Sequence, residues 1–177
     1  HAVRIVTSAN FAGLVRDHGL EFRPVTADFQ ALLEGDHSIA DRGLDVRAMA
    51  RVFRDTYAGW AEHWAEEGMA ASEGAGLLIG VGNATLLAQA VAEARGVPFV
   101  RAQLQPLTPS RILPPVVLAA SKRSLPGLGN MGAYHLLRLL IWKVMKPAIN
   151  GIVRPRLGLR GYPWYGPYFN EGESRGR

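Results

Sequence analysis

The chain has 177 residues, a formal net charge of +5 and no cysteine, and 48% of its residues are apolar. That composition suits a single domain with a real core, and it rules out disulfides and thiolate metal sites, which fits a reducing compartment. No run reaches the ~18 apolar residues of a membrane-spanning helix, and the basic residues are mostly spread out, which argues against nucleic acid as the partner.

Val3 to Thr7 reads as a strand, and no signal peptide is expected because His1 leads straight into it. Asn10 stands as the N-cap of a short helix from Phe11 to His18, and Gly19 supplies the stop. Glu21 to Val25 reads as the next strand. Asp28 is placed to cap a second short helix ending near Gly35, and His37 to Asp45 reads as a polar loop. A long helix is expected from Val46 to Gly68. Met49, Phe53, Tyr57, Trp60 and Trp64 form a stripe along it, expected to pack on a sheet.

Gly76 to Val81 reads as a strand. Gly82-Asn83-Ala84-Thr85 turns it into a helix through about Ala94, and Val97 to Val100 is the following buried strand. Strand, helix and strand with short links predict a parallel sheet with right-handed crossovers. After it, Gln103 to Arg111 brings two amides, two prolines and two hydroxyls to the place where α/β sheets bind ligands, beyond the carboxyl ends of the strands. Such a loop suits a polar organic ligand better than a metal or a phosphate.

Ile112 to Leu118 and Pro126 to Gly132 are expected to be irregular. Asn130 then caps a helix from Met131 to Lys146, with Leu136, Leu137, Leu140, Ile141 and Val144 as its apolar face. Arg138, Trp142, Lys143 and Lys146 lie on or near the opposite side, and Pro147 interrupts or kinks the helix. Trp142, with Arg138 and Lys146 a turn away on each side, makes a candidate face for peripheral membrane contact. Packing of the helix on its own sheet, with the cations in water, is the plainer alternative. From Gly161 the chain loses helical and strand periodicity, so residues 1–160 are expected to form the domain and 161–177 an irregular tail.

Gly80-Val81-Gly82-Asn83-Ala84-Thr85 approaches the dinucleotide fingerprint, but Thr85 replaces its third glycine and no acid ends the next strand. A tight strand-to-helix turn is the better reading. There is no P-loop and no Gly-x-Ser-x-Gly elbow, and the five histidines show no metal-ligand spacing. No catalytic residue, metal or cofactor is assigned.

Three passages together resemble the N-terminal, acceptor-binding domain of GT-B glycosyltransferases, in the branch of the sterol 3β-glucosyltransferases and the glycopeptide-antibiotic glycosyltransferases. They are His1 to Phe11 continued by Leu14-Val15 and Gly19 to Phe22, then Leu77 to Asn83 followed by Ala88 to Pro98, then Gln105-Pro106-Leu107-Thr108-Pro109 with Arg111. The resemblance covers roughly residues 1 to 160. It implies an α/β, Rossmann-like parallel sheet with flanking helices, forming the N-terminal half of a GT-B fold. It also implies truncation at both ends: the family's first strand, its following loop of the Gly-Ser-Arg-Gly-Asp kind with the catalytic base, and the nucleotide-sugar domain all lie outside this sequence.

The function implied is that of a cytoplasmic hexosyltransferase. It would carry a hexose from a nucleotide-sugar such as UDP-glucose to a hydroxyl of a lipid, sterol or other apolar aglycone. This part alone is expected to be inactive. Asn10, Phe11, Asn83, Gln103, Gln105 and Thr108 are the expected acceptor-binding residues, at strand ends by pattern. The competing readings are a non-catalytic α/β module that binds a ligand or partner, and a dinucleotide-dependent enzyme using Gly80 to Thr85.

Overall fold

The computed structural model describes residues 2–28, 46–104, 107–115 and 127–169, without the side chains of 46–49, Asn83 and Phe169. The chain begins with β1 (Arg4–Thr7), a 3-10 turn (Ala9–Phe11), α1 (Ala12–Asp17) and β2 (Glu21–Pro24). After α2 (Val46–Ala71) come β3 (Leu78–Val81), a 3-10 turn (Gly82–Ala84), α3 (Thr85–Arg95) and β4 (Phe99–Ala102). The last elements are α4 (Gly127–Ala148), a π-helical turn (Ile149–Val153), α5 (Arg154–Arg156) and a 3-10 turn (Pro167–Phe169).

The architecture is α/β, as the strand–helix–strand pattern predicts. β1 pairs in parallel with β2, from Arg4 opposite Glu21 to Thr7 opposite Pro24, and β3 pairs in parallel with β4, from Leu78 opposite Phe99 to Val81 opposite Ala102. Among the described residues no ladder joins the two pairs. Arg4 ties the first pair to the end of α2 through side-chain bonds. Its guanidinium donates to the carbonyls of Ala71 (2.7 Å), the last residue of α2, and Glu73 (3.0 Å), and pairs with Glu21 (2.9 Å).

Glycines set two close approaches. A Cβ on Gly80 would stand 2.9 Å from both the Phe99 ring and the Thr85 Cα, and one on Gly68 would stand 2.8 Å from Val91. Gly82 turns the chain at φ +54°, a conformation that L-residues with side chains resist. The glycines of the 80–85 segment thus serve strand-to-helix packing, as the turn reading expects.

The core is mostly helix on helix. Tyr57, Ala61 and Trp64 of α2 pack with Leu86, Leu87, Ala90 and Val91 of α3, and with Trp142, Met145 and Ala148 of α4. Trp60 and Trp64 meet the Tyr57 ring edge-on at 5.5 and 5.9 Å, a favoured aromatic geometry. The stripe on α2 therefore faces chiefly helices rather than a sheet. Two-stranded sheets offer too little surface to cover a helix of this length, and only Val25 and Leu78 beside them reach the cluster. Met49's side chain lies outside the described residues, as do the helix expected from Asp28 and the loop from His37.

The C-terminal half departs most from expectation. α4 begins at Gly127, so residues 127–132 are helical rather than irregular, and Asn130 is a buried residue within the helix rather than its cap. The buried face carries Tyr134, Arg138, Trp142 and Met145, whereas Leu136 and Leu140 are exposed. The helix is thus rotated relative to the expected face. Trp142 is 1% and Arg138 4% exposed, so neither can meet a membrane. Trp142 supplies more buried area than any leucine, and Arg138 satisfies its charge by donating to the carbonyls of Leu107 (2.9 Å) and Tyr168 (3.0 Å). Pro147 sits inside α4, and the chain continues through the π turn rather than stopping.

Residues 161–169 pack on this helix. Tyr162 meets Trp142 edge-on at 5.9 Å and Tyr168 is buried. Asn150 exchanges two hydrogen bonds with the Tyr162 backbone, at 2.8 and 2.9 Å. Buried Arg154 forks onto Glu93 (2.8 and 3.0 Å) and lies 3.8 Å from the Tyr162 ring centroid. Among the described residues no helix is long and apolar enough to cross a membrane.

Candidate functional site

Both strands of the first pair end in polar, irregular segments, which is where a parallel sheet opens to ligands. Ser8, Ala9 and Asn10 follow β1, and Val25 to Asp28 follow β2. Between them lies a cleft of about 260 Å³, walled on its far side by Trp60 and Glu67 of α2. A smaller cavity of about 60 Å³ runs deeper, among Val6, Tyr57, Trp64, Ala84 and Leu87. The two share Ser8, Val25 and Ala27.

α2 holds the β2 exit in place. Glu67 accepts hydrogen bonds from the Thr26 amide (2.8 Å) and hydroxyl (2.5 Å), and the Trp64 indole donates to the Thr26 carbonyl (2.7 Å). The Val25 amide donates to Thr7 (3.0 Å), carrying the pairing one step past the strands. Asn10 donates from Nδ2 to Asp28 (3.1 Å), joining the two strand exits across the mouth.

Ser8 differs from these groups. It is 3% exposed, lines both hollows, and its Oγ has no hydrogen-bond partner among the described residues. A buried hydroxyl without a partner is costly. The site thus combines aromatic and aliphatic walls with one unsatisfied hydroxyl and a polar rim. It is suited to a ligand with an apolar body and a hydroxyl end.

Of the expected acceptor residues, Asn10 lines the cleft. Phe11 is half-exposed in the 3-10 turn beyond it, Gln103 is half-buried just past β4, and Thr108 is exposed. None of these three lines either hollow. Asn83 lies in the turn before α3, its side chain outside the described residues, and Gln105 is outside them altogether. The Leu107 to Arg111 part of the loop is pinned to α4, through Arg138 at Leu107 and through Asn130, which donates to the Arg111 carbonyl (3.3 Å). Ser110 Oγ accepts from the amides of Ile112 and Leu113, both at 3.1 Å.

The sequence reading missed Ser8, Thr26, Trp60 and Glu67 as cleft residues. The signal was a small hydroxyl residue just past each strand, and an acid three residues after Trp64 on the aromatic stripe of α2.

Parallel strand–helix–strand units with a cleft at the strands' carboxyl ends make this a Rossmann-like α/β fold. In sequence, 90% of the chain is similar to sterol 3-beta-glucosyltransferases. Identity is 28% over 159 residues with the protein of Neurospora crassa, 26% over 160 with that of Aspergillus oryzae, and 29% over 162 with that of Eremothecium gossypii. The chain spans only 10%, 11% and 13% of the length of these three curated relatives. No protein-family model matches it.

Proposed function

We propose that this chain is part of the acceptor-binding half of a glycosyltransferase, and that the cleft beyond β1 and β2 receives a sterol or similar apolar alcohol. The reading rests on the similarity to sterol 3-beta-glucosyltransferases along 90% of the chain. The cleft's chemistry supports it. Trp60 and Val25 offer apolar wall, the deeper hollow adds Tyr57, Trp64 and Leu87, and Ser8 and Asn10 offer polar contacts to a hydroxyl. The hexose would come from a nucleotide-sugar such as UDP-glucose, held by a domain outside these residues. A base outside them would take the hydroxyl proton as the oxygen attacks the anomeric carbon.

Two of the chain's tryptophans line the hollows, so binding can be read from intrinsic fluorescence. The purified chain is titrated with cholesterol delivered from methyl-β-cyclodextrin, with empty cyclodextrin as control, and separately with UDP-glucose. The expected outcome is a saturable change with the sterol, none with the nucleotide-sugar, and no glucose transfer when both are present. Absence of a saturable sterol signal would refute the reading, as would tight NAD binding, which would favour the dinucleotide alternative.

A further inference from the structure

The rotation of α4 leaves one face of this long helix uncovered among the described residues. Leu128, Leu136 and Leu140 are 74%, 58% and 50% exposed, and Gly132 between them is exposed too. Residues 128, 132, 136 and 140 succeed one another at four-residue steps, so they share a stripe. At 100° per residue, Lys143 falls in line with the middle of that stripe and Lys146 with Leu128. Both lysines are exposed, and neither makes an ion pair among the described residues. The stripe runs about 28 Å along the helix, apolar for most of its length and cationic at its C-terminal end.

The charge of the surrounding sequence is equally one-sided. Between Glu93 and Glu171 there are eleven lysines and arginines and no aspartate or glutamate, whereas the chain up to and including Glu93 has thirteen acids and seven bases. The basic residues are thus segregated along the sequence, although Arg138 and Arg154 among them are buried and Arg156 pairs with Glu62. A second protein would need a matching acidic, apolar groove. An anionic bilayer supplies both complements at once, acyl chains for the leucines and headgroup charge for the lysines. We propose that the exposed face of α4 is a peripheral membrane-docking surface for anionic lipid, with Leu128, Leu136 and Leu140 entering the interface and Lys143 and Lys146 meeting headgroups. This does not depend on the sterol reading. It places the membrane on the side of α4 opposite Trp142.

The test is flotation of the full chain with vesicles of phosphatidylcholine alone, or with 30% phosphatidylserine by design, at low and high salt. Binding is expected only to the anionic vesicles and is expected to fall in 0.5 M salt as charges are screened. Lys143→Ala with Lys146→Ala should weaken it about twenty-five-fold at low salt, since each lysine near an anionic surface is worth roughly fivefold. Leu136→Ser with Leu140→Ser should weaken it at least tenfold. All four positions are exposed, and circular dichroism would verify that the variants fold. Failure of the wild type to float, or undiminished flotation of both double variants, would overturn the proposal. So would a dimer in sedimentation that the leucine variants dissociate while lipid binding persists, which would assign the face to a second copy of the chain.

Discussion

Gly166 offers a measurement of how tightly the C-terminal segment seals the core. Its φ is +81°, and a Cβ there would stand 2.7 Å from two ring atoms of Trp142 and 3.0 Å from a third. Gly166→Ala should therefore carry two costs. The left-handed backbone is worth about 1–2 kcal/mol against any L-residue, and overpacking against a buried ring is worth about 1–3 kcal/mol. The ring cannot give way easily, because Trp142 is also held edge-on by Tyr162. Together they give roughly 2–5 kcal/mol. Gly158 is the internal control. Its φ is +68°, but nothing lies within 4 Å of a Cβ built there, so Gly158→Ala should cost only the backbone share of about 1–2 kcal/mol. Urea unfolding followed by tryptophan fluorescence reads both. With a slope of about 2 kcal/mol per molar, the midpoint should fall by about 1–2.5 M for Gly166→Ala and by clearly less for Gly158→Ala. Equal shifts for the two variants would show that the Trp142 contact contributes nothing and would refute the packing argument.

Ser8→Ala should leave stability unchanged or raise it by up to about 1 kcal/mol, because it removes a buried hydroxyl with no partner. It should weaken sterol binding by about fivefold, and a loss of stability without a change in binding would contradict the role given to Ser8. Arg138→Ala should destabilise by about 2–4 kcal/mol, since it leaves the Leu107 and Tyr168 carbonyls without their donor and empties buried volume. Burial pushes the Tyr162 hydroxyl up to about 12, against the pull of the nearby Arg154 guanidinium. Its ordinary value is about 10, so the neutral form is favoured in the folded state. The stability this contributes is complete below pH ~10 and is lost as pH rises through ~12. Urea midpoints should fall between pH 9 and 11.5 in the wild type and fall less in Tyr162→Phe. Parallel slopes would disprove the assignment.

The elements most legible in the sequence were those set by local chemistry. The strands at Arg4, Glu21, Leu78 and Phe99 and the helices between them follow from apolar runs and from the left-handed stops at Gly19 and Gly96. The orientation of α4 was not legible. Apolar residues surround it almost completely, so periodicity could not decide between Leu136–Leu140 and Tyr134–Trp142–Met145, and tertiary packing decided. Arg138 misleads for a related reason: a cation reads as exposed until two distant carbonyls are available to accept from it. Gly127 and Gly132 suggested irregular structure, but Gly127 lies against Arg111, where close packing outweighs weak helix propensity. At the site, Asn10 was legible because it follows a strand. Glu67 was not, because its role depends on Thr26 lying across from it, a neighbour no local pattern reveals.

A single guanidinium, that of Arg138, holds both the Leu107 carbonyl and the Tyr168 carbonyl. During synthesis, this buried cation can therefore reach its second carbonyl only once Tyr168 has left the ribosome. A nascent chain halted before that point would carry the Arg138 guanidinium without its Tyr168 acceptor. The order in which the polypeptide is made thus becomes a constraint on when this buried charge is fully paired.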